Sequence, residues 1–223
     1  LRRRQRNGYT SGDGIGPEAV SGVEADVAAL LTSLERIFES RPFLLGDYPT
    51  LADIGFSGPF FRHFALDPIP LQVLRHTAPR TLEWVMRLWN STPSSIKGAL
   101  VDEVPEDVRV LLRHMARGYL PYLNANADAV RSGASRFNAT VDGVTYRGAR
   151  TSQYRVWCLD ELRNHYRRLT EAKQENETSD LECLLKDTGI WEPLWAQDGL
   201  PLLKDQESRL PFWADSKMTK VNE

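Results

Sequence analysis

Cysteine is scarce in this chain. Cys158 and Cys183 are the two among 223 residues, and they form no CxxC pair. No disulfide framework is implied, and a reducing, intracellular compartment (cytoplasmic or mitochondrial) is the expectation. Long apolar runs are missing as well. No stretch approaches the ~20 residues a membrane-spanning helix needs, so no membrane span is expected. Charge of one sign is not in excess: the formal net charge is −2, and nothing global points to nucleic acid or an anionic membrane. The four histidines, His63, His76, His114 and His165, are scattered, with no HExxH or Cys/His ligand spacing. They give no reason to expect a metal site. There is no internal repeat and no low-complexity tract. What is present is 41% hydrophobic and 26% charged residues, an ordinary balance for one large domain or one domain with an extension.

The chain opens on Leu1 and a basic run, Arg2, Arg3, Arg4 and Arg6. The plain reading is a solvated linker or first helical turn. The sharper one is the remnant of an Arg-rich organellar presequence. Residues 7–16 read as a loop by composition, which makes 1–16 a linker or tail. Pro17 then suits the first turn of a helix. Val20, Val23, Val27, Leu30, Leu31, Leu34 and Phe38 follow in steps of three and four, the stripe of a helix of roughly six turns.

Residues 41–49 break that helix. Thr50-Leu51-Ala52-Asp53 has the form of a capping box, with Asp53 in the place of the usual Glu or Gln. The spacing predicts a helix from Leu51 to about Phe64, apolar nearly all round and therefore core. Ser57 and Gly58 are small enough to let another helix approach. A short helix over 71–76, a helix over 80–90 with Trp84 and Trp89, and a long one from Pro105 to about Arg131 follow. Gly118 and Pro121 are the expected bends in the last. Phe137, Ala139 and Val141 alternate with polar residues, as do Val144 and Tyr146 after Asp142-Gly143. That pattern predicts one β-hairpin at 136–147 with a type I′ turn. Helices over about 153–169 and 180–187 complete the expectation, before a polar, extended or loosely docked tail.

The segment Arg41-Pro42-Phe43-Leu44-Leu45-Gly46-Asp47-Tyr48-Pro49-Thr50-Leu51-Ala52-Asp53-Ile54 resembles the C-terminal domain signature of glutathione transferases. In that family a long helix ends, a loop follows, and a capping box opens a buried helix. Ala78-Pro79 and Trp84-Val85 fit the next helix. The rest is similar to a long-extension branch of the family, through Tyr119-Leu120-Pro121, Asn124-Ala125-Asn126, the hairpin and Tyr154 to Leu159. The resemblance implies an all-α fold, a glutathione-transferase C-terminal-like helical bundle with one small β-hairpin. It would cover 17–195, with a core at 17–90 and an extension at 105–195, followed by a polar tail at 196–223. It also implies that the Thr50/Asp53 pair serves folding and not chemistry. The family's catalytic residue and most glutathione contacts lie in a thioredoxin-like domain, for which nothing before Pro17 offers a strand pattern. No catalytic residue can therefore be carried onto this chain, and whether it is an enzyme stays open. Glutathione is expected only if that domain is present elsewhere.

Other motifs carry less. Gly12-Asp13-Gly14-Ile15-Gly16-Pro17-Glu18 is similar to the N-terminal loop of decarboxylating β-hydroxyacid dehydrogenases, but no βαβ alternation surrounds it and it is neither GxGxxG nor a P-loop. Cys158, between Trp157 and Leu159, reads as a small core hydrophobe; a nucleophile would need an electropositive, partly exposed setting. Phe60, Phe61 and His63 are the candidate pocket-lining residues if an apolar pocket exists. Three sequons, at Asn90, Asn138 and Asn176, read as incidental. The arginines at 136, 147, 150, 163, 167 and 168 have acidic neighbours and read as a solvated face.

Three functions follow from the resemblance. The chain is part of a glutathione-dependent transferase, a non-catalytic scaffold or accessory subunit of a larger assembly (mitochondrial in one version), or an apolar small-molecule binding module. The first two imply a protein partner, or the missing thioredoxin-like domain, against the 17–40 helix, in a homo- or hetero-oligomer.

Overall fold

The computed structural model describes residues 5–172 and 175–202. Among the described residues the fold is all-α apart from one two-stranded antiparallel hairpin. Among the described residues no helix is long and apolar enough to cross a membrane. The chain divides into two compact units, Ser21–His114 and Leu1–Val20 with Met115–Glu223. Within the second unit, the residues before Val20 fold onto the hairpin.

The first unit is built on α1 (Val20–Ser40), α2 (Leu51–Pro59), α3 (Pro68–Thr77), α4 (Pro79–Trp89) and α5 (Glu106–His114). α1 turns Leu31, Leu34 and Phe38 of the predicted stripe inward, together with Ile37. They meet Phe43, Leu44, Phe60, Leu74, Trp84, Val85 and Leu111 in one core. Phe38 stacks on Trp84 at 5.0 Å and Phe60 meets the same indole edge-on at 5.5 Å, geometries the ring quadrupoles favour. Arg41 grips Asp107 with both terminal nitrogens, at 3.0 and 2.6 Å. That bidentate pair fixes the loop after α1 to the first turn of α5. Glu35 does the same for α4. Its carboxylate accepts from the backbone N–H of Thr81 (2.7 Å) and Arg80 (3.2 Å) and from the Thr81 hydroxyl (2.8 Å). These are the donors a helix start leaves unsatisfied.

α2 departs from its expected burial. It ends at Pro59 and continues as a π-helical turn, Phe60–Phe64. Asp53, Ser57 and Phe60 are buried, but Leu51 is 86% exposed and Ile54 59%. A Cβ on Gly58 would have nothing within 4 Å, so no helix approaches there within this unit. The helix is apolar nearly all round, but one face of it is exposed and not core. Leu66 (71% exposed) and Ile69 (76%) follow in the turn and on α3.

The second unit contains a π-helical turn, Met115–Tyr119, then α6 (Leu120–Arg131), β1 (Arg136–Val141), β2 (Val144–Arg150), α7 (Gln153–Ala172), α8 (Glu175–Asp187) and α9 (Trp191–Trp195). The π turn includes Gly118, one of the two expected bends. The hairpin turns at Asp142 (φ 46°) and Gly143 (φ 80°), the positive φ pair of a type I′ turn. Its register slips between Phe137 and Ala139, where Asn138 Oδ1 accepts the Gly148 N–H at 2.8 Å. Phe137, Ala139 and Val141 pack with Tyr122 and Ala129 of α6. α9 had no sequence expectation. Asn124 Nδ2 donates to Pro193 O and Arg163 Nε to Leu194 O, both at 2.7 Å. Arg163 and Arg167 flank the Trp195 ring at 5.3 and 5.4 Å. α8 begins earlier than the expected Asp180. The predicted tail falls, from residue 203, outside the described residues.

Residues 7–16 are not a loop. Gln5–Thr10 is a π-helical segment, and helical backbone continues through Gly12. Tertiary bonds impose this. Arg150 donates to Gly8 O at 2.9 Å, Tyr122 Oη to Asp13 O at 3.0 Å, and the Arg147 N–H to Gly14 O at 2.8 Å. Gly14 has φ +82°, and a Cβ there would sit 3.0 Å from that of Ala149. Gly12 and Gly14 thus let this segment lie against the hairpin.

Candidate functional site

Two constellations stand out, one in each unit. In the first, Asp53 is fully buried and joins three segments. Its Oδ2 accepts the Thr50 N–H and the Thr50 hydroxyl, each at 2.9 Å. Its Oδ1 accepts the Leu44 N–H at 2.9 Å and the Trp84 indole N–H at 3.0 Å. The carboxylate therefore caps α2, holds the 41–49 loop and orients the core indole at once. With every contact internal to the fold, this arrangement supports structure and offers nothing to a substrate.

The candidate lining residues lie just beyond it. Phe60 is buried against Trp84 and Phe64. Phe61 is half-buried, edge-on to Trp89 at 5.2 Å. His63 is exposed, its Nδ1 3.4 Å from Asp67 Oδ2. The three do not converge: Phe60 belongs to the core, and His63 faces solvent.

The second constellation is a groove of about 520 Å³ in the second unit. Tyr9, Tyr119, Tyr154, Arg150, Arg155 and Cys158 are among its walls. Tyr119 and Tyr154 line the groove together with the half-buried Cys158. Tyr154 sits four residues before Cys158 on α7 and so shares its face. Its ring stacks on Trp157 at 5.5 Å. Tyr119 arrives from the π turn. Burial pushes the Tyr119 phenol up from its ordinary value to about 12. Burial also pushes the Cys158 thiol up, against the pull of the two phenols and Arg155. Arg155 is anchored on Asp13 (2.6 Å) and on Arg150 O (2.8 Å), with its guanidinium over the Tyr122 ring. It thereby joins the 5–16 segment to the groove wall. Cys158 is thus not a plain core residue. The signal available in the sequence was the Tyr154–Cys158 spacing; Tyr119 and Tyr9 come from distant segments that no local pattern joins.

Among the described residues no group of three or more His, Cys, Asp or Glu side chains is placed to hold a metal ion.

The first unit is thus a helical unit whose capped second helix is locked by a buried aspartate onto the preceding loop. Residues 16–91 match the family described as glutathione S-transferase, C-terminal domain. No curated protein and no solved structure matches the chain.

Proposed function

We propose that the chain is the helical half of a glutathione-dependent transferase, and that its first unit docks a second folded domain of the thioredoxin-like type. That domain would supply glutathione and the activating group. The family match over residues 16–91 carries the reading. The surplus apolar side chains Leu51, Ile54, Leu66 and Ile69 support a docked partner, because exposed aliphatic groups in number favour an interface over solvent. They move the favoured face from the 17–40 helix to α2 and α3, since Val20 is the one strongly exposed large apolar residue on α1. Two free cysteines suit a reducing compartment, cytoplasmic or mitochondrial.

The test is to isolate the native protein, determine the intact mass of its chain, and apply it to immobilised glutathione. Retention by glutathione, with a thioredoxin-like domain on this chain or on a tightly bound second chain, is the expected result. A native protein with neither is the outcome that overturns the reading. It would favour the scaffold alternative, in which the same apolar face binds a non-catalytic partner.

A further inference from the structure

The junction of α7 and α9 buries a cation that lacks a counter-charge. Arg163 is 4% exposed. Its Nε donates to Leu194 O at 2.7 Å, but its Nη2 is shut off from solvent with no acceptor among the described residues. The Trp195 indole N–H is in the same condition. The two groups are neighbours: the Arg163 guanidinium carbon lies 5.3 Å from the centre of the Trp195 ring, and that of Arg167 5.4 Å. Burial and Arg167 hold the Arg163 guanidinium below its ordinary value, with Asp160 pulling the other way. The carboxylates of this region are engaged elsewhere. Asp160 accepts from Asn164 at 3.0 Å, Glu161 pairs with Arg168 at 3.3 Å, and Glu182 with Lys186 at 2.6 Å. A buried cation and a buried N–H donor, each without an acceptor, are costly, and one anion can relieve both.

We propose that this junction binds a small monovalent carboxylate, one oxygen accepting from Arg163 Nη2 and the other from Trp195 Nε1. The planar guanidinium fork matches a planar two-oxygen acceptor. A dianion fits less well, because Arg167 is exposed and its Nη1 already donates to Asn164 at 2.8 Å, and burying a second charge raises the desolvation cost. Both donors are closed to solvent, so the anion enters when α9 lifts. That helix has five residues, and Asn124 and Arg163 each hold one of its carbonyls. Carboxylate binding and the docking of α9 are therefore linked. Asn124 Oδ1 is also buried and unpaired, so a water joining it to Arg163 is the competing arrangement. The site does not depend on the transferase reading, since its residues lie outside the 16–91 match.

The folded full chain, with ¹⁵N-labelled indoles, would be titrated with sodium acetate at neutral pH, sodium chloride holding the ionic strength constant. The Trp195 Nε1–H resonance, assigned by its loss in Trp195→Phe, should shift saturably while the other indoles do not. With acetate at about ten times its Kd, hydrogen exchange at the Leu194 amide should slow by about tenfold. Arg163→Lys keeps the charge without the fork and should weaken the acetate response at least about tenfold. No saturable shift in the unmodified protein, or an equal shift at every indole, refutes the site whatever the variants do. So does a magnetisation-transfer signal from a bound water to the Trp195 indole that acetate leaves unchanged. Tighter binding of phosphate than of acetate overturns the choice of a carboxylate. Saturable binding with unchanged exchange at Leu194 refutes the link to α9. An acetate response unaltered in Arg163→Lys, in protein with an unchanged circular dichroism spectrum, refutes the role given to the guanidinium.

Discussion

Replacing Asp53 with alanine should be among the most damaging single changes in the first unit. The side chain accepts four hydrogen bonds and is fully buried. Its removal strands the Leu44 N–H and the Trp84 indole N–H, both on residues with at most 2% exposure. Each stranded donor costs roughly 1–3 kcal/mol. Loss of the α2 cap adds about 1 kcal/mol. The sum, about 3–7 kcal/mol, is a large share of the ~5–15 kcal/mol that holds a typical domain folded. Thr50→Ala removes the cap hydroxyl and leaves the two buried donors paired, so about 1 kcal/mol is expected for it. Urea denaturation followed by near-ultraviolet circular dichroism would report the Phe38–Trp84 packing. Equal midpoints for Asp53→Ala and Thr50→Ala would show that the junction at Leu44 and Trp84 contributes nothing, and the reasoning would fail.

Three further outcomes are expected. Glu35→Ala should cost about 1–2 kcal/mol by uncapping α4, with faster hydrogen exchange at the Thr81 amide as the local readout. Gly14→Ala should loosen the 5–16 segment from the hairpin by about 1–2 kcal/mol, because φ +82° is strained for a side chain and Ala149 crowds the new methyl; limited proteolysis before Pro17 would detect it. Tyr119 ionises near 10 when unfolded and at about 12 when folded. The folded state therefore favours the neutral phenol. The stabilisation is complete below pH ~10 and declines as pH rises toward ~12. An ultraviolet phenolate titration should show a late step that Tyr119→Phe abolishes.

Much of the fold was legible because it rests on local chemistry. The α1 stripe, the Thr50–Asp53 spacing and Asp142-Gly143 each dictate an element without reference to distant residues. The 5–12 helical segment was not legible, since Arg150, Tyr122 and Arg147 impose it from more than a hundred residues away. α9 escaped for the same reason, being held by Asn124 and Arg163. The burial of α2 misled because its apolar periphery is symmetric in sequence while only one face has neighbours within its unit. The groove shows the same limit: Cys158 and Tyr154 share a helix face, yet Tyr119 and Tyr9 join them only through tertiary folding.

The second unit is discontinuous: its parts lie on either side of residues 21–114 in the chain. Synthesis imposes an order on such a topology. Residues 21–114 leave the ribosome complete and can fold as a unit. The 5–16 segment, made earlier, must wait for the hairpin arginines at 147 and 150 and for Arg155 before it finds its acceptors filled. A chain cut after His114 would keep a finished helical unit and carry an orphaned N-terminal segment, whose Asp13 and Gly14 would then be open to whichever donor reached them first.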